Sequence, residues 1–108
     1  MQAIYLTIGH NVNNEHTHET EEVIEAVCKT LQLEAFTAIP CFGRWDGKNE
    51  KSTRIEICNL NKQEAARIKS LIPDLADALK QQEIMFEQKT QAVEFIERKE
   101  TETTTKNA

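Results

Sequence analysis

The chain has 108 residues, of which 39% are hydrophobic and 29% are charged, and its formal net charge is −5. This length suffices for one domain, and the composition is typical of a globular protein rather than a disordered one. An acidic chain lacks the basic surface that phosphate backbones require, which argues against direct nucleic-acid binding.

The cysteine content and the N-terminal residues predict where in the cell the protein is located. Cys28, Cys41 and Cys58 are odd in number and show no C-x-x-C spacing. We therefore predict reduced thiols, packed as small hydrophobic side chains, in a cytoplasmic protein with no disulfide and no zinc. The first residues lack the pattern of a signal peptide, and no apolar stretch is long enough for a membrane span.

The first third of the chain predicts a strand followed by a helix. Residues 3–9 alternate between an apolar face and a more polar one, as in a half-buried strand. The apolar face is Ile4, Leu6 and Ile8, and the other face is Tyr5 and Thr7. A polar loop over 10–14 precedes a helix from about Thr17, its predicted N-cap, to Gln32. Its predicted buried stripe is Val23, Ile24, Val27, Cys28 and Leu31.

Two strands joined by a polar turn are predicted next. The first covers residues 34–45 and contains Pro40, which cannot donate to a sheet ladder and indicates an edge or a bulge. The turn covers residues 43–51, and the second strand, over 52–59, alternates between apolar and polar side chains.

The last third predicts a helix, a final strand and a tail. Asn61 and Glu64 form a capping-box pair at the helix start, and Pro73 predicts a kink or a restart. The apolar runs at 84–86 and 92–96 predict either one long bent strand or two short ones. Residues 98–108 predict a disordered tail, which leaves a domain over residues 1–97.

The predicted order β-α-β-β-α-β specifies an α+β fold of the ferredoxin-like kind, a four-stranded antiparallel sheet with two helices on one face. The other sheet face is left open. Because the predicted strands carry apolar residues on both faces, we predict that a second copy covers it and that the protein is a homo-oligomer.

A short motif in the second half of the chain resembles a known family. It comprises the turn Gly43-x-Trp45, then Glu50-x-Ser52, then Gln82-Glu83 before an apolar strand. This pattern, over about residues 42–95, resembles a family of small bacterial α+β proteins known only as a domain of unknown function. Ile84 stands where that family tends to have serine. The resemblance implies a ferredoxin-like fold and a dimer, and it implies no activity.

Two surfaces are candidates for ligand or partner binding. Residues 43–54 carry four cations and two anions beside a tryptophan, a group able to stack on a base or grip an anion. The alternative is a solvated hairpin whose tryptophan caps the core. The open sheet face is the second surface. The predicted site residues are Tyr5, Arg44, Trp45, Glu50, Arg54 and Glu56.

Two further hypotheses concern metal binding and catalysis. His10, His16 and His18, with nearby glutamates, have a composition able to chelate a divalent ion, but a helix N-terminus disfavours a cation, and we predict a surface histidine loop without metal. Tyr5, His10 and Glu56 would form an acid–base group only if they met in a cleft.

The absence of a nucleotide or catalytic motif favours a binding role. We predict a non-enzymatic interaction module, acting as a homo-oligomer on a protein or small-molecule partner, without a cofactor. Its acidic character suits an accessory or inhibitor protein of a phage or mobile element. The alternative is a small enzyme with its site in a dimer cleft on the open sheet face.

Overall fold

The computed structural model describes residues 1–99. Its elements are β1 (Gln2–Gly9), β2 (Asn11–Val12), β3 (Glu15–His16), α1 (Thr20–Leu31), β4 (Thr37–Trp45), β5 (Lys48–Leu60), α2 (Lys62–Ala78) and β6 (Met85–Thr90). The four longer strands form one antiparallel sheet in the order β4-β5-β1-β6, with both helices on one face. The predicted ferredoxin-like fold is confirmed.

The core lies between the sheet and the two helices. Strand register places Leu6 opposite Ile55 and Ile4 opposite Ile57, and these apolar pairs pack against the helices. The same register turns Tyr5 to the other face, opposite Glu56 on β5 and Glu87 on β6. Alternation along each strand therefore separates a core face from an open face, as predicted.

Helix α1 begins later than predicted, because the loop before it has structure of its own. Residues 10–16 contain the small β2–β3 hairpin instead of a plain loop. The amides of Thr17 and His18 both donate to the carbonyl of His10, at 3.0 and 2.9 Å, which holds them outside the helix. The N-cap is Glu19, in a capping box with Glu22, so the prediction of Thr17 was wrong.

Strands β4 and β5 continue to a two-residue turn. Asp46 and Gly47 both have positive φ, at 50° and 75°, which is the backbone of a type I′ hairpin turn. The predicted turn over residues 43–51 was too long, because polar strand residues such as Arg44 and Asn49 are paired. The edge position that Pro40 predicted for its strand is confirmed, since β4 lies at the end of the sheet.

The second half of the chain differs from the prediction mainly in its last strand. The capping box of Asn61 and Glu64 is confirmed, and α2 continues through Pro73 without a break. Strand β6 begins in the first predicted apolar run, at Met85 and Phe86, and continues through the polar residues 87–90, whereas residues 92–96 form no strand. A polar sequence suffices there because β6 is an edge strand. The predicted tail lies outside the described residues, apart from 98 and 99.

The three cysteines are free thiols, as predicted, but they are not packed as core residues. Cys28 and Cys58 are exposed, and Cys41 is half-buried. On α1 the buried stripe is only Val23, Val27 and Leu31, so Cys28 lies beyond its edge. Within residues 1–99, no helix combines the length and hydropathy needed to cross a bilayer.

Candidate functional site on the open sheet face

Tyr5 lies at the centre of the open face, on the inner strand β1. Its side chain is covered by two cations, with Arg54 Cζ 4.7 Å and Lys89 Nζ 5.0 Å from the ring centroid. Gln91 Nε2 donates to the Tyr5 hydroxyl at 3.2 Å, which leaves the hydroxyl proton available to an acceptor. Only 9% of Tyr5 remains exposed.

Arg54, which packs on this ring, also donates hydrogen bonds to two carboxylates. Its Nε donates to Glu56 Oε2 at 3.1 Å, and its Nη1 donates to Glu87 Oε1 at 3.4 Å. Hydrogen bonding to Glu56, and then to Glu87, holds the pKa of Arg54 above its usual value. The centre of the face thus presents fixed positive and negative groups side by side, an arrangement that matches a zwitterion.

The hairpin end of the open face holds Trp45 and Glu50. Trp45 folds back over Gly43, where an added Cβ would lie only 2.6 Å from the indole Nε1. Glu50 reaches across to the end of β1 and accepts from the backbone amide of Asn11 at 2.7 Å. An added Cβ at Gly9 would lie 2.5 Å from Glu50 Oε2, so a side chain there would displace this carboxylate from its present position.

A cleft of about 410 Å³ opens beside Trp45. Its walls are the β2–β3 hairpin, the tip of the β4–β5 hairpin and the loop from α2 to β6. The side chains are mostly polar and include Asn11, Asn13, Asn14, Asp46, Gln82 and Glu83. Gln81 Nε2 donates to the carbonyl of Asn11 at 2.8 Å and joins two of the walls. The volume is that of a typical small-molecule site.

The cleft and the charged centre are continuous. Thr7 and Met85 line the cleft and are paired on the sheet, and Thr7 is also opposite Arg54. An elongated ligand in the cleft would therefore reach the charged centre one residue pair further along the open face. The cleft, lined by Trp45 and amide side chains, therefore forms one continuous surface with the paired charges of Arg54, Glu56 and Glu87.

Five of the six predicted site residues lie on the open face. Tyr5, Arg54 and Glu56 meet at its centre, and the register places Trp45 and Glu50 toward the hairpin end. Arg44 is on the opposite face of the hairpin, where its Nη1 donates to Asn49 Oδ1 at 2.8 Å.

The histidines do not join this site. His10 is buried on the helix side of the sheet, with its Nε2 2.7 Å from Thr53 Oγ1. The acid–base group of Tyr5, His10 and Glu56 is therefore not assembled. His16 pairs with Glu19 at 2.8 Å, and residues 1–99 contain no cluster of histidine, cysteine or carboxylate side chains suited to a metal ion.

Sequence reasoning missed Glu87, Lys89 and Gln91, and the cleft residues of the β2–β3 hairpin. Gln82 and Glu83 of the α2–β6 loop belonged to the motif with Trp45, but they were not predicted as site residues. Glu87, Lys89 and Gln91 lie in the stretch that was predicted to be a polar link between apolar runs. Their alternation, Glu87 and Lys89 on one side with Phe86 and Gln88 on the other, was the available signal. No local pattern predicts that the β2–β3 and α2–β6 residues share a cleft, because chain segments distant in sequence form it.

The fold, with its one open face, places the chain in the class of ferredoxin-like α+β proteins. The sequence matches no protein-family model and no curated protein. Solved structures similar to it include a phage SAM lyase in complex with S-methyl-5′-thioadenosine, at 20% identity and a TM-score of 0.72, over 82% of this chain and 79% of that one. The apo state of a phage SAM lyase is similar at 21% identity and a TM-score of 0.69, over 82% and 78% of the two chains.

A DUF3240 family protein from Shewanella baltica OS155 is a more distant neighbour. It has 13% identity and a TM-score of 0.56, over 90% of this chain and 97% of that one. It belongs to an uncharacterised bacterial family, which agrees loosely with the resemblance drawn from the sequence motif. At these identities the likenesses establish a shared fold.

Proposed function

We propose that the open face and the adjoining cleft bind S-adenosylmethionine (SAM) and that the protein is a SAM lyase. The observation that carries the proposal is the continuity of a nucleoside-sized cleft with a group of paired charges on one sheet face. The similarity of the whole fold to phage SAM lyases supports it. This proposal adopts the enzyme alternative predicted for the open face.

The chemistry of the ligand fits the two parts of the site. In the proposed pose, adenine stacks on Trp45, and the amide side chains of the cleft accept and donate hydrogen bonds to the nucleoside. The methionine carboxylate pairs with Arg54 or Lys89, and its ammonium group pairs with Glu56 or Glu87. The sulfonium lies between these ends, where carboxylates and an aromatic face stabilise a cation.

Release of S-methyl-5′-thioadenosine from SAM breaks the bond between sulfur and the γ-carbon of the amino-acid part. Sulfur keeps both bonding electrons and loses its positive charge. An oxygen of the substrate's own α-carboxylate forms the new bond to the γ-carbon, which closes the ring of homoserine lactone and needs no further reactant. A site with carboxylates near the γ-carbon would stabilise the positive charge that moves onto this carbon in the transition state. In the proposed pose, Glu56 and Glu87 are those carboxylates.

Calorimetry with SAM and with S-methyl-5′-thioadenosine tests the binding site, and mass spectrometry of the reaction mixture tests the lyase activity. We expect Trp45→Ala to weaken binding of both ligands by tenfold or more, because stacking on a base contributes about 1–3 kcal/mol.

Arg54→Met should weaken SAM binding by about tenfold and leave S-methyl-5′-thioadenosine binding unchanged, because the nucleoside product lacks the carboxylate.

Arg44→Met is the matched control, because Arg44 lies on the other face of the same hairpin and should affect neither ligand. If wild-type protein binds neither ligand, the proposal is wrong. Binding of SAM without release of S-methyl-5′-thioadenosine would retain the site and exclude the lyase activity, which favours the predicted non-enzymatic module.

Two similar structures are of phage proteins. This supports the predicted role as an accessory protein of a phage or mobile element. The predicted cytoplasmic location and homo-oligomeric state remain predictions.

A further inference from the structure

The segment that follows β6 exposes two large apolar side chains, Phe95 and Ile96. Residues 92–96 read Ala-Val-Glu-Phe-Ile, a β-prone sequence, yet they form no strand. Phe95 is 78% exposed and Ile96 is 83% exposed. Two adjacent large apolar residues with such exposure indicate a segment that packs against another molecule.

The sheet has one free edge that matches this segment. Edge strand β4 exposes Phe42 to 77% and Ile39 to 39%, and its outer backbone groups have no strand partner within residues 1–99. The other edge, β6, carries the charged residues Glu87 and Lys89, which protect an edge from pairing. Among the described strands, β4 is thus the edge suited to accept an additional strand.

We infer that residues 92–96 of one molecule add as a strand to the β4 edge of a second copy of this chain. Strands β4 and β6 lie at opposite edges of the sheet, and the exposed Phe95 and Ile96 do not pack on the open face of their own chain. Backbone pairing would supply the affinity. Because consecutive strand residues point to opposite faces, one of Phe95 and Ile96 would contact Phe42 and the other would lie on the open face beside Trp45, and these contacts would supply the specificity.

Charge and backbone chemistry narrow the position of the added strand. Pro40 has no N–H, so pairing is expected on the hairpin side of it, over residues 41–45. Residues 43–51 of the hairpin carry three cations and two anions, a net charge of +1, while residues 92–97 carry Glu94 and Glu97, a net charge of −2, before Arg98 and Lys99. The acidic part of the segment therefore matches the basic hairpin of the second copy.

This position places the segment next to Trp45, which ends β4 and lines the cleft. The second copy would then form part of the rim of the candidate site. The assembly itself does not depend on any ligand, so a failure of SAM binding would leave this inference intact.

Light scattering coupled to size-exclusion chromatography of the full chain, at about 10 to 100 μM, tests the assembly. We expect the wild-type protein to be an oligomer. The double variant Phe95→Asp, Ile96→Asp should raise the dissociation constant by at least tenfold, and so should Phe42→Asp. Gln63→Asp, Ser70→Asp places the same added charge on the exposed face of α2 and should leave the assembly intact.

Mixing the two disrupted variants distinguishes direct pairing from an indirect effect. Each retains one half of the contact, so an equimolar mixture should form a one-to-one heterodimer. A mixture that stays monomeric overturns the inference, as does a monomeric wild-type protein or an oligomer that the double variant does not weaken. Circular dichroism should show the same fold for every variant, because Phe42, Phe95 and Ile96 are exposed in the single chain.

Discussion

His10 is a buried histidine, unlike the exposed histidines typical of protein surfaces. It is 2% exposed, and its Nε2 begins a short polar chain through Thr53 Oγ1 to Thr20 Oγ1, with distances of 2.7 and 3.1 Å. Within the described part of the chain, its buried Nδ1 has no hydrogen-bond partner. Burial lowers the pKa of His10 because it disfavours the charged imidazolium, and the nearby His16 lowers it further by like-charge repulsion.

Stability should therefore depend on pH below neutrality. An unfolded histidine takes up a proton near pH 6.5, whereas folded His10 takes it up at a lower pH. Between these values the unfolded state binds more protons, so the free energy of unfolding should fall as pH is lowered through 6.5. Urea unfolding at several pH values between 5 and 7.5 measures this slope.

His10→Gln should flatten the slope, because glutamine does not titrate. His16→Gln removes a largely exposed histidine and should keep most of the slope. Glu19 and Glu50 act in the opposite direction and raise the pKa of His10. Burial and His16 outweigh them, so the pKa remains lowered. A His10→Gln protein with the full wild-type slope would show that another group causes the pH dependence.

At the scale of the element, the β4–β5 hairpin depends on its two-residue turn. Gly47 has a φ of 75°, in the left-handed region, and space for a side chain is not the constraint, because an added Cβ would meet no atom within 4 Å. The cost of a substitution is conformational, since a β-branched side chain strongly disfavours this region.

Gly47→Val is expected to reduce the free energy of unfolding by about 1–2 kcal/mol, measured by urea denaturation. Asp46→Asn is the matched control at the neighbouring position, where φ is 50°, and should be nearly neutral because asparagine tolerates this conformation. Equal costs for the two changes would contradict the assignment of a type I′ turn.

At the scale of the whole molecule, the sheet and both helices share one core. Leu6 is fully buried on the central strand β1, with apolar neighbours on β5 and β6 at its own register. Removing its side chain affects the packing of every element around it. Small domains of this size unfold cooperatively, so the loss is expected to appear in the global transition.

Leu6→Ala should reduce the free energy of unfolding by about 2–5 kcal/mol, a large part of the 5–15 kcal/mol typical of such domains. Thr7→Ala changes the next residue, on the open face, and should cost less than about 1 kcal/mol. Urea denaturation at pH 7.5 measures both. A Leu6→Ala cost below that of Thr7→Ala would contradict the assignment of the two faces.

Local sequence patterns predicted those parts of the fold that depend on periodicity. Ile4, Leu6 and Ile8 at period two predicted the core face of β1, and Asn61 with Glu64 predicted the start of α2. The start of α1 was missed because the carbonyl of His10 binds the amides of Thr17 and His18, which is a tertiary arrangement. Strand β6 was predicted only at its start, because its polar residues 87–90 gain their structure from pairing with β1.

The sequence by itself determined the fold class and the division of β1 and β5 into a core face and an open face. It did so because alternation and capping are local properties of the chain. Only the tertiary structure decided that Glu87, Lys89 and Gln91 join Tyr5, and that Asn13, Trp45 and Gln82 share a cleft. These residues are distant in sequence, and only strand order and register bring them together, because a site of this kind is formed by the packing of separate segments.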